Sequence, residues 1–309
     1  MNRISTAGNY QSALLNLMSA QARQADAQMR IATQKNATDL AGFGRSSESL
    51  TSMKAAQSRI QGFVSAGETA TARLDAQDLA MTRIGDALTS ASSAMGNAIA
   101  NDSGVTLMLE IDNAFRDIVG GLNTRHNGDY LFSGSRTDTA AVNVATLADL
   151  AAAPDVASTF QNDALAATSR LSEGAPTRTG ILANDVGSAV FQIFRDIKAY
   201  SDDPVTGPLT GKLTDTQKAF LTTKLQELQA ASGGVTTITA SNGSLSKQVA
   251  TMTASNTAQA SALEELVANR TDADMAKAIT DLELAQVAIQ ASAQVVSGLS
   301  EVSLLNYLR

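Results

Sequence analysis

Proline is confined to one stretch of this 309-residue chain: Pro154, Pro176, Pro204 and Pro208 are the only four. A proline inside a helix removes a backbone donor and clashes with the preceding turn, at a cost of about 3 kcal/mol or more. The arms on either side of 154–208 are therefore free to run as long helices, and the middle is not. The apolar pattern uses that freedom. Met53, Ala56, Ile60, Phe63, Gly67, Ala70, Leu74, Gln77, Met81, Ile84, Leu88, Ala91, Met95 and Ala98 fall three or four apart on one stripe. Only Gly67 and Gln77 interrupt its apolar character, so a long helix is predicted there. Asn101-Asp102-Ser103-Gly104 ends it. Met108, Ile111, Phe115, Ile118 and Leu122 carry a second helix, and Gly120-Gly121 begins its end.

The other arm repeats the script. Leu228, Ala231, Val235, Ile238, Asn242, Leu245, Val249, Met252, Asn256, Gln259, Leu263 and Leu266 take strict heptad steps. Gly233-Gly234 and Asn242-Gly243 are expected to weaken that run, by about 1 kcal/mol per glycine relative to alanine. Asn242, Asn256 and Gln259 either set register at a cost in stability or face solvent. Both ends of the chain carry shorter heptad seams: Leu15, Met18, Ala22, Ala25, Met29 and Ala32 near the start, within a helix predicted over 5–35. Near the finish come Met275, Ile279, Leu282, Gln286, Ile289, Ala293 and Val296. A stripe that repeats every 3.5 residues needs a partner helix, so the ends pair with each other or with copies of themselves.

Between the arms the period changes. Asn36–Ser46, with Gly42 and Gly44, reads as a shaped loop. His126-Asn127-Gly128-Asp129 is hairpin chemistry, Tyr130-Leu131-Phe132 reads as strand, and Ser133-Gly134-Ser135 as a further turn. Residues 136–185 hold no sustained helical period. Ala167–Leu171 and Thr177–Leu182, around Glu173-Gly174, are candidates for a second small hairpin. Helix resumes at Asp185 through Val186, Val190, Ile193 or Phe194, and Ile197, before a loop over Asp202–Lys212. The expected fold is mainly α: an elongated coiled-coil rod with paired terminal helices and a small, partly β insertion. The expected division is 1–44 with 268–309, then 45–135 with 186–267, then 136–185.

Composition excludes several kinds of function. A net charge of −7 and a pI near 4.8 argue against nucleic acid, whose binding rests on Lys and Arg neutralising phosphates. Without cysteine there are no disulfides, iron–sulfur clusters or Cys-zinc sites. His126 is the one histidine, so His-based metal sites and His-dependent nucleophiles lack their parts. It reads as a turn residue. Glu264-Glu265 and Asp272/Asp274, with Arg270 and Lys277 nearby, read as solvated faces rather than acid–base pairs. Gly42-Phe43-Gly44 lacks the flanking strand of a phosphate loop. Nothing calls for a cofactor, and no run approaches the ~18 apolar residues of a membrane span. The start has no apolar core of secretory-signal quality. The chain reads as an assembly protein, not an enzyme.

One segment carries a family resemblance. Asn127-Gly128-Asp129-Tyr130-Leu131-Phe132-Ser133-Gly134-Ser135, followed by Thr137-Asp138-Thr139, resembles the NG-x-YLFSGS-x-TDT run of the flagellin superfamily's hook-associated protein 3 group, the hook–filament junction proteins. The opening Arg3-Ile4-Ser5-Thr6 is similar to that family's start. Its ending is matched by Leu284-Ala285-Gln286, Ala291-Ser292-Ala293-Gln294 and Ser303–Arg309. Thr33–Arg45 departs from the Gly- and Lys/Arg-rich turn and Lys-Asp-Asp-Ala-Ala-like run of many flagellins. That counts against a filament flagellin more than against a junction protein.

The resemblance implies a structural subunit of the bacterial flagellum, outside the cell, exported through the flagellar type III apparatus without a cleaved signal. It implies self-association into a ring or helical array. The implied partners are hook-associated protein 1, flagellin and a cytoplasmic export chaperone, with no membrane insertion. The terminal helices would pair in an inner tube, disordered until assembly, with Leu14, Leu15, Leu17, Met18, Ile289, Val295, Val296, Leu299, Leu304 and Leu305 packing between subunits. An ordinary hairpin that buries the same residues within one chain is the competing arrangement. A filament flagellin and a soluble signalling or scaffold coiled coil are the competing functions.

Overall fold

The long apolar stripes fold as long helices. In the computed structural model, which describes residues 2–301 and their side chains from 8 to 298, seven helices are joined by turns and by longer loops that carry two small antiparallel ladders. The described residues pack into two compact units, one drawn from 1–59 and 259–309 and the other from 60–258. The chain is mainly α with a small β component in its middle, as the pattern predicts. Leu299, Leu304 and Leu305, with the Ser303–Arg309 ending and the side chains of Arg3-Ile4-Ser5-Thr6, lie outside what is described.

In the 60–258 unit, helix α2 (Ser47–Ala100) buries Ala70, Leu74, Gln77, Met81, Ile84, Leu88, Ala91, Met95 and Ala98, the stripe read from the sequence. It stops where Asp102 takes a left-handed φ of 50° and the Ser103 N–H reaches back 3.0 Å to the Ala98 carbonyl, a bond that satisfies a carbonyl the helix leaves open. Helices α3 (Leu107–Leu122) and α5 (Ala183–Asp202) close over it. Phe115 lies 5.0 Å from Phe191 and 5.8 Å from Phe194, and Phe160 lies 4.9 Å from Phe191. These tilted ring pairs are each worth about 0.5–1.5 kcal/mol beyond their buried area. The short α4 (Leu147–Ala152) starts on a capping box in which Asp149 N–H donates to Thr146 Oγ1 at 3.2 Å and Thr146 N–H to Asp149 Oδ2 at 2.9 Å. Ala141, Val142, Val144, Leu147 and Leu150 join the same core as the helices.

Strands β1 (Arg125–His126) and β2 (Asp129–Tyr130) form the Asn127-Gly128 hairpin, with both turn residues at positive φ. The strand read for Tyr130-Leu131-Phe132 is corrected: it ends at Tyr130, and Leu131 and Phe132 turn inward to the core. Strands β3 (Thr168–Ser169) and β4 (Thr177–Arg178) pair as the sequence predicts, over two residues each.

Helix α6 (Asp215–Thr271) is continuous through both glycine-containing sites. Its start is set by a reciprocal pair, Gln217 N–H to Thr214 Oγ1 at 3.2 Å and Thr214 N–H to Gln217 Oε1 at 3.0 Å. The heptad stripe holds through Asn256 and then drifts. Gln259 and Leu266 are exposed, and Ala260 and Val267 turn inward in their place. Such drift is what a helix relaxing from 3.5 towards 3.6 residues per turn produces.

Candidate functional site

The unit drawn from both ends of the chain is built on α1 (Asn2–Thr33) lying against α7 (Met275–Glu301). They run antiparallel, with Arg30 of α1 at 4.0 Å from Asp281 near the start of α7. Their register corrects the expected seam. Ala13, Ala20 and Ala27 are buried, with Leu17, Gln24 and Ile31 half-buried between them. That is a 4–3–4–3 alternation displaced by two residues from the Leu15-Met18-Ala22 stripe. In α7 the inward residues are Met275, Ala278, Leu282, Ala285, Ile289, Ser292 and Val296, so four of the seven expected stripe residues are retained and Ile279, Gln286 and Ala293 are exposed. Alanine in alternate layers lets two helix axes approach to the near end of the usual 8–10 Å range. Strict spacing of seven among alanines was the available signal. Bulkier side chains at a parallel heptad spacing two residues away mask it.

Displacing the seam leaves the large side chains outside. Leu14, Leu15 and Met18 are 40%, 61% and 59% exposed, and Tyr10 lies on the same side of α1. On α7, Leu284, Val287 and Val295 are exposed, at spacings that place them along one face. Among the predicted packing residues, Leu17, Ile289 and Val296 thus sit in the intramolecular seam and Leu14, Leu15, Met18 and Val295 sit on open helix faces.

A polar clasp holds the turn that follows α1 to the α6–α7 junction. Asn36 N–H donates to the Thr271 carbonyl at 2.7 Å and Ala273 N–H to the Gln34 carbonyl at 2.9 Å. Asn36 Nδ2 donates to the Asp272 carbonyl at 2.8 Å, and Lys35 Nζ meets Asp272 Oδ1 at 2.5 Å. The Lys35 hydrogen bond, aided by Thr271, holds the Asp272 carboxyl below its usual range. Asp272 is therefore more than a solvated face. Asp274 caps α7 by accepting from Lys277 N–H at 3.1 Å. A cleft of about 470 Å³ opens beside the clasp between Asp39, Leu40, Phe43, Lys54 and Val267.

The Asn127–Gly134 motif acts as a structural hub. Leu131, Phe132 and Ser133 are buried. Arg73 of α2 donates to the Leu131 carbonyl at 3.0 Å, and Ala183 N–H at the start of α5 donates to the Phe132 carbonyl at 3.0 Å. Ser133 Oγ donates to the Thr139 carbonyl at 2.6 Å. Gly134 sits at φ 71°, and a Cβ there would collide with the Asp163 carboxylate. That carboxylate accepts from Ser135 Oγ and from the N–H groups of Ser135 and Leu165, which holds its pKa low, the Ser135 side chain contributing most. Burial lowers the Arg73 pKa, against the opposing pull of Asp129. Arg125 stacks 4.3 Å over the Tyr130 ring, and His126 Nε2 lies 3.2 Å from Asn127 Nδ2. The motif thus ties α2, α5 and the 137–165 segment together.

Among the described residues, no group of three or more His, Cys, Asp or Glu side chains gathers as metal ligands would, and no helix is long and apolar enough to cross a membrane.

Paired terminal helices, a long two-helix seam and a small β-containing middle are the features that comparison with known proteins can test. Residues 225–308 match the family described as the bacterial flagellin C-terminal helical region, which bears out the resemblance to the flagellin superfamily. The fold is similar to that of a protein described as a flagellar hook-associated protein from Vibrio parahaemolyticus, with a TM-score of 0.57 at 15% identity, covering 73% of this chain and 97% of that one. It is also similar to FlgL from Bacillus cereus, with a TM-score of 0.53 at 16% identity, covering 70% and 97%. No curated protein matches by sequence. At these identities the two structures speak to the fold.

Proposed function

We propose that this chain is a structural, non-catalytic subunit of the bacterial flagellum, exported from the cell, and that it forms the hook–filament junction on which flagellin polymerises. One observation carries the reading: the terminal helices pair through a narrow alanine seam and leave Leu14, Leu15, Met18, Leu284, Val287 and Val295 open to solvent. Such faces gain about 25 cal/mol per Å² of apolar surface when a neighbour covers them. The YLFSGS motif and the flagellar hook-associated description of a structural neighbour support the junction reading over a filament reading. On this reading copies of the chain pack through their terminal helices into a ring or helical array. Hook-associated protein 1 lies below, flagellin above, and an export chaperone covers the C-terminal helix beforehand.

The test is a deletion strain. It is expected to keep intact hooks while releasing unpolymerised flagellin into the medium, with export of flagellin itself unimpaired. Normal hooks and junctions with only filament mass missing would assign the chain as a flagellin instead. Recovery of the protein only from the cytoplasm, never from sheared flagella, would favour a scaffold coiled coil.

A further inference from the structure

We infer that Gln77 and Asn242 form a hydrated polar layer that divides the α2–α6 packing into two segments, the smaller of which opens on its own. The apolar interior of the 60–258 unit is not continuous. The buried members of the large cluster come from α2 at Ala80 onward and from α6 up to Val235, with Ala76 and Ile238 packed at its edge, and a separate small cluster holds Ala70, Leu74, Leu171 and Val249. Gln77 on α2 and Asn242 on α6 lie between the two along their helices. Gln77 is fully buried, and neither its Oε1 nor its Nε2 has a hydrogen-bonding partner in the protein. Asn242 is 4% exposed; its Nδ2 donates to the Leu74 carbonyl at 2.9 Å, and its Oδ1 has no partner in the protein. That bond reaches the turn of α2 on which Gln77 sits. Arg73 Nε, one turn away, is likewise without a protein partner.

Three unpartnered amide atoms in one buried layer carry a desolvation penalty that a buried water with two to four polar neighbours removes. The same atoms are fully hydrated once the helices part. Opening up to this layer therefore sacrifices few apolar contacts, whereas opening past it exposes the phenylalanine-rich core. Residues 61–76 and 243–258 form the weaker segment, held by Leu74, Val249 and Leu171, with Asn256 Nδ2 donating to the Leu171 carbonyl at 3.0 Å. Two packed segments with a polar break between them are the conditions for sub-global opening.

Hydrogen exchange followed by mass spectrometry on the full chain tests this. Amides at 61–76 and 243–258 are expected to exchange at least tenfold faster than those at 84–98, with opening of the two helices correlated. In Q77M/N242L, which replaces the layer with apolar groups of similar shape, that gap is expected to shrink by at least tenfold, and thermal unfolding to move upward. The single variant Q77M, a smaller change, is expected to shrink the gap in part. Uniform protection across 61–98 in the natural chain would overturn the inference. So would a gap that Q77M leaves unchanged.

Discussion

Replacing Ala20 by leucine separates the two faces of α1 most sharply. Ala20 is fully buried, and among the described residues α7 is the helix that packs against α1, so the α1–α7 seam is what buries it. A leucine adds three methylene-sized groups where alternate alanines hold the axes close. Overpacking of this kind costs about 1–3 kcal/mol. At 1.36 kcal/mol per decade that makes local opening about five- to 150-fold more frequent. Hydrogen exchange of peptides spanning 13–31 and 278–296 reads that change directly, and peptides from 84–98 serve as the internal control. Met18→Ala, two residues away on the open face, is expected to leave exchange in both regions within the range of an ordinary surface change, about 0.5 kcal/mol. If Ala20→Leu exchanges like the natural chain while Met18→Ala loosens both helices, the alanine seam is not the packing surface.

Three further outcomes follow from the geometry. Gly67→Ala ought to gain about 1 kcal/mol from helix propensity, but its Cβ would collide with Thr253. The expected result is net destabilisation in urea unfolding, with partial rescue by Thr253→Ala. Phe115→Ala removes the ring central to the aromatic cluster and is expected to cost about 3–5 kcal/mol, enough to lower the urea midpoint markedly. Acid is expected to loosen the fold. Asp102, Asp149, Asp163, Asp203 and Asp272 are held below the usual carboxylate value by hydrogen bonds, from Lys218, Thr146, Ser135, Thr206 and Lys35 first in each case. A depressed folded-state pKa gives stability that is full above the ordinary value near 3.9 and is lost as pH falls through the folded value. Circular dichroism titrated downward from pH 5 should therefore show unfolding below about pH 4, and Asp163→Asn should blunt that dependence.

The parts of the fold that the sequence made legible are those where period and chemistry agree. The Met53–Ala98 stripe, the Asn127-Gly128 turn and the 168–178 hairpin all follow from spacing or turn residues alone. Helix α6 overrode its own propensity. A Cβ at Gly233 or Gly234 would meet no neighbouring side chain, and burial of Leu228 and Val235 on either side carries the helix through them. The terminal seam was misplaced because heptad reading favours large side chains, while two close-packed helices prefer small ones. Phe132 was legible as apolar but not as an anchor, since its carbonyl bond to Ala183 N–H joins residues 51 apart. The Lys35–Asp272 clasp spans 237 positions, and no local pattern announces such a pair.

Cryo-electron microscopy of isolated hook–filament junctions would show whether this chain forms the junction. The expected result is a ring of this chain between hook and filament, with Leu14, Leu15, Met18 and Val295 buried against neighbouring subunits and Ala13, Ala20 and Ala27 still facing α7 of the same chain. Those four large side chains facing solvent or the central channel in a ring of this chain would contradict it. So would a junction that contains no copy of the chain.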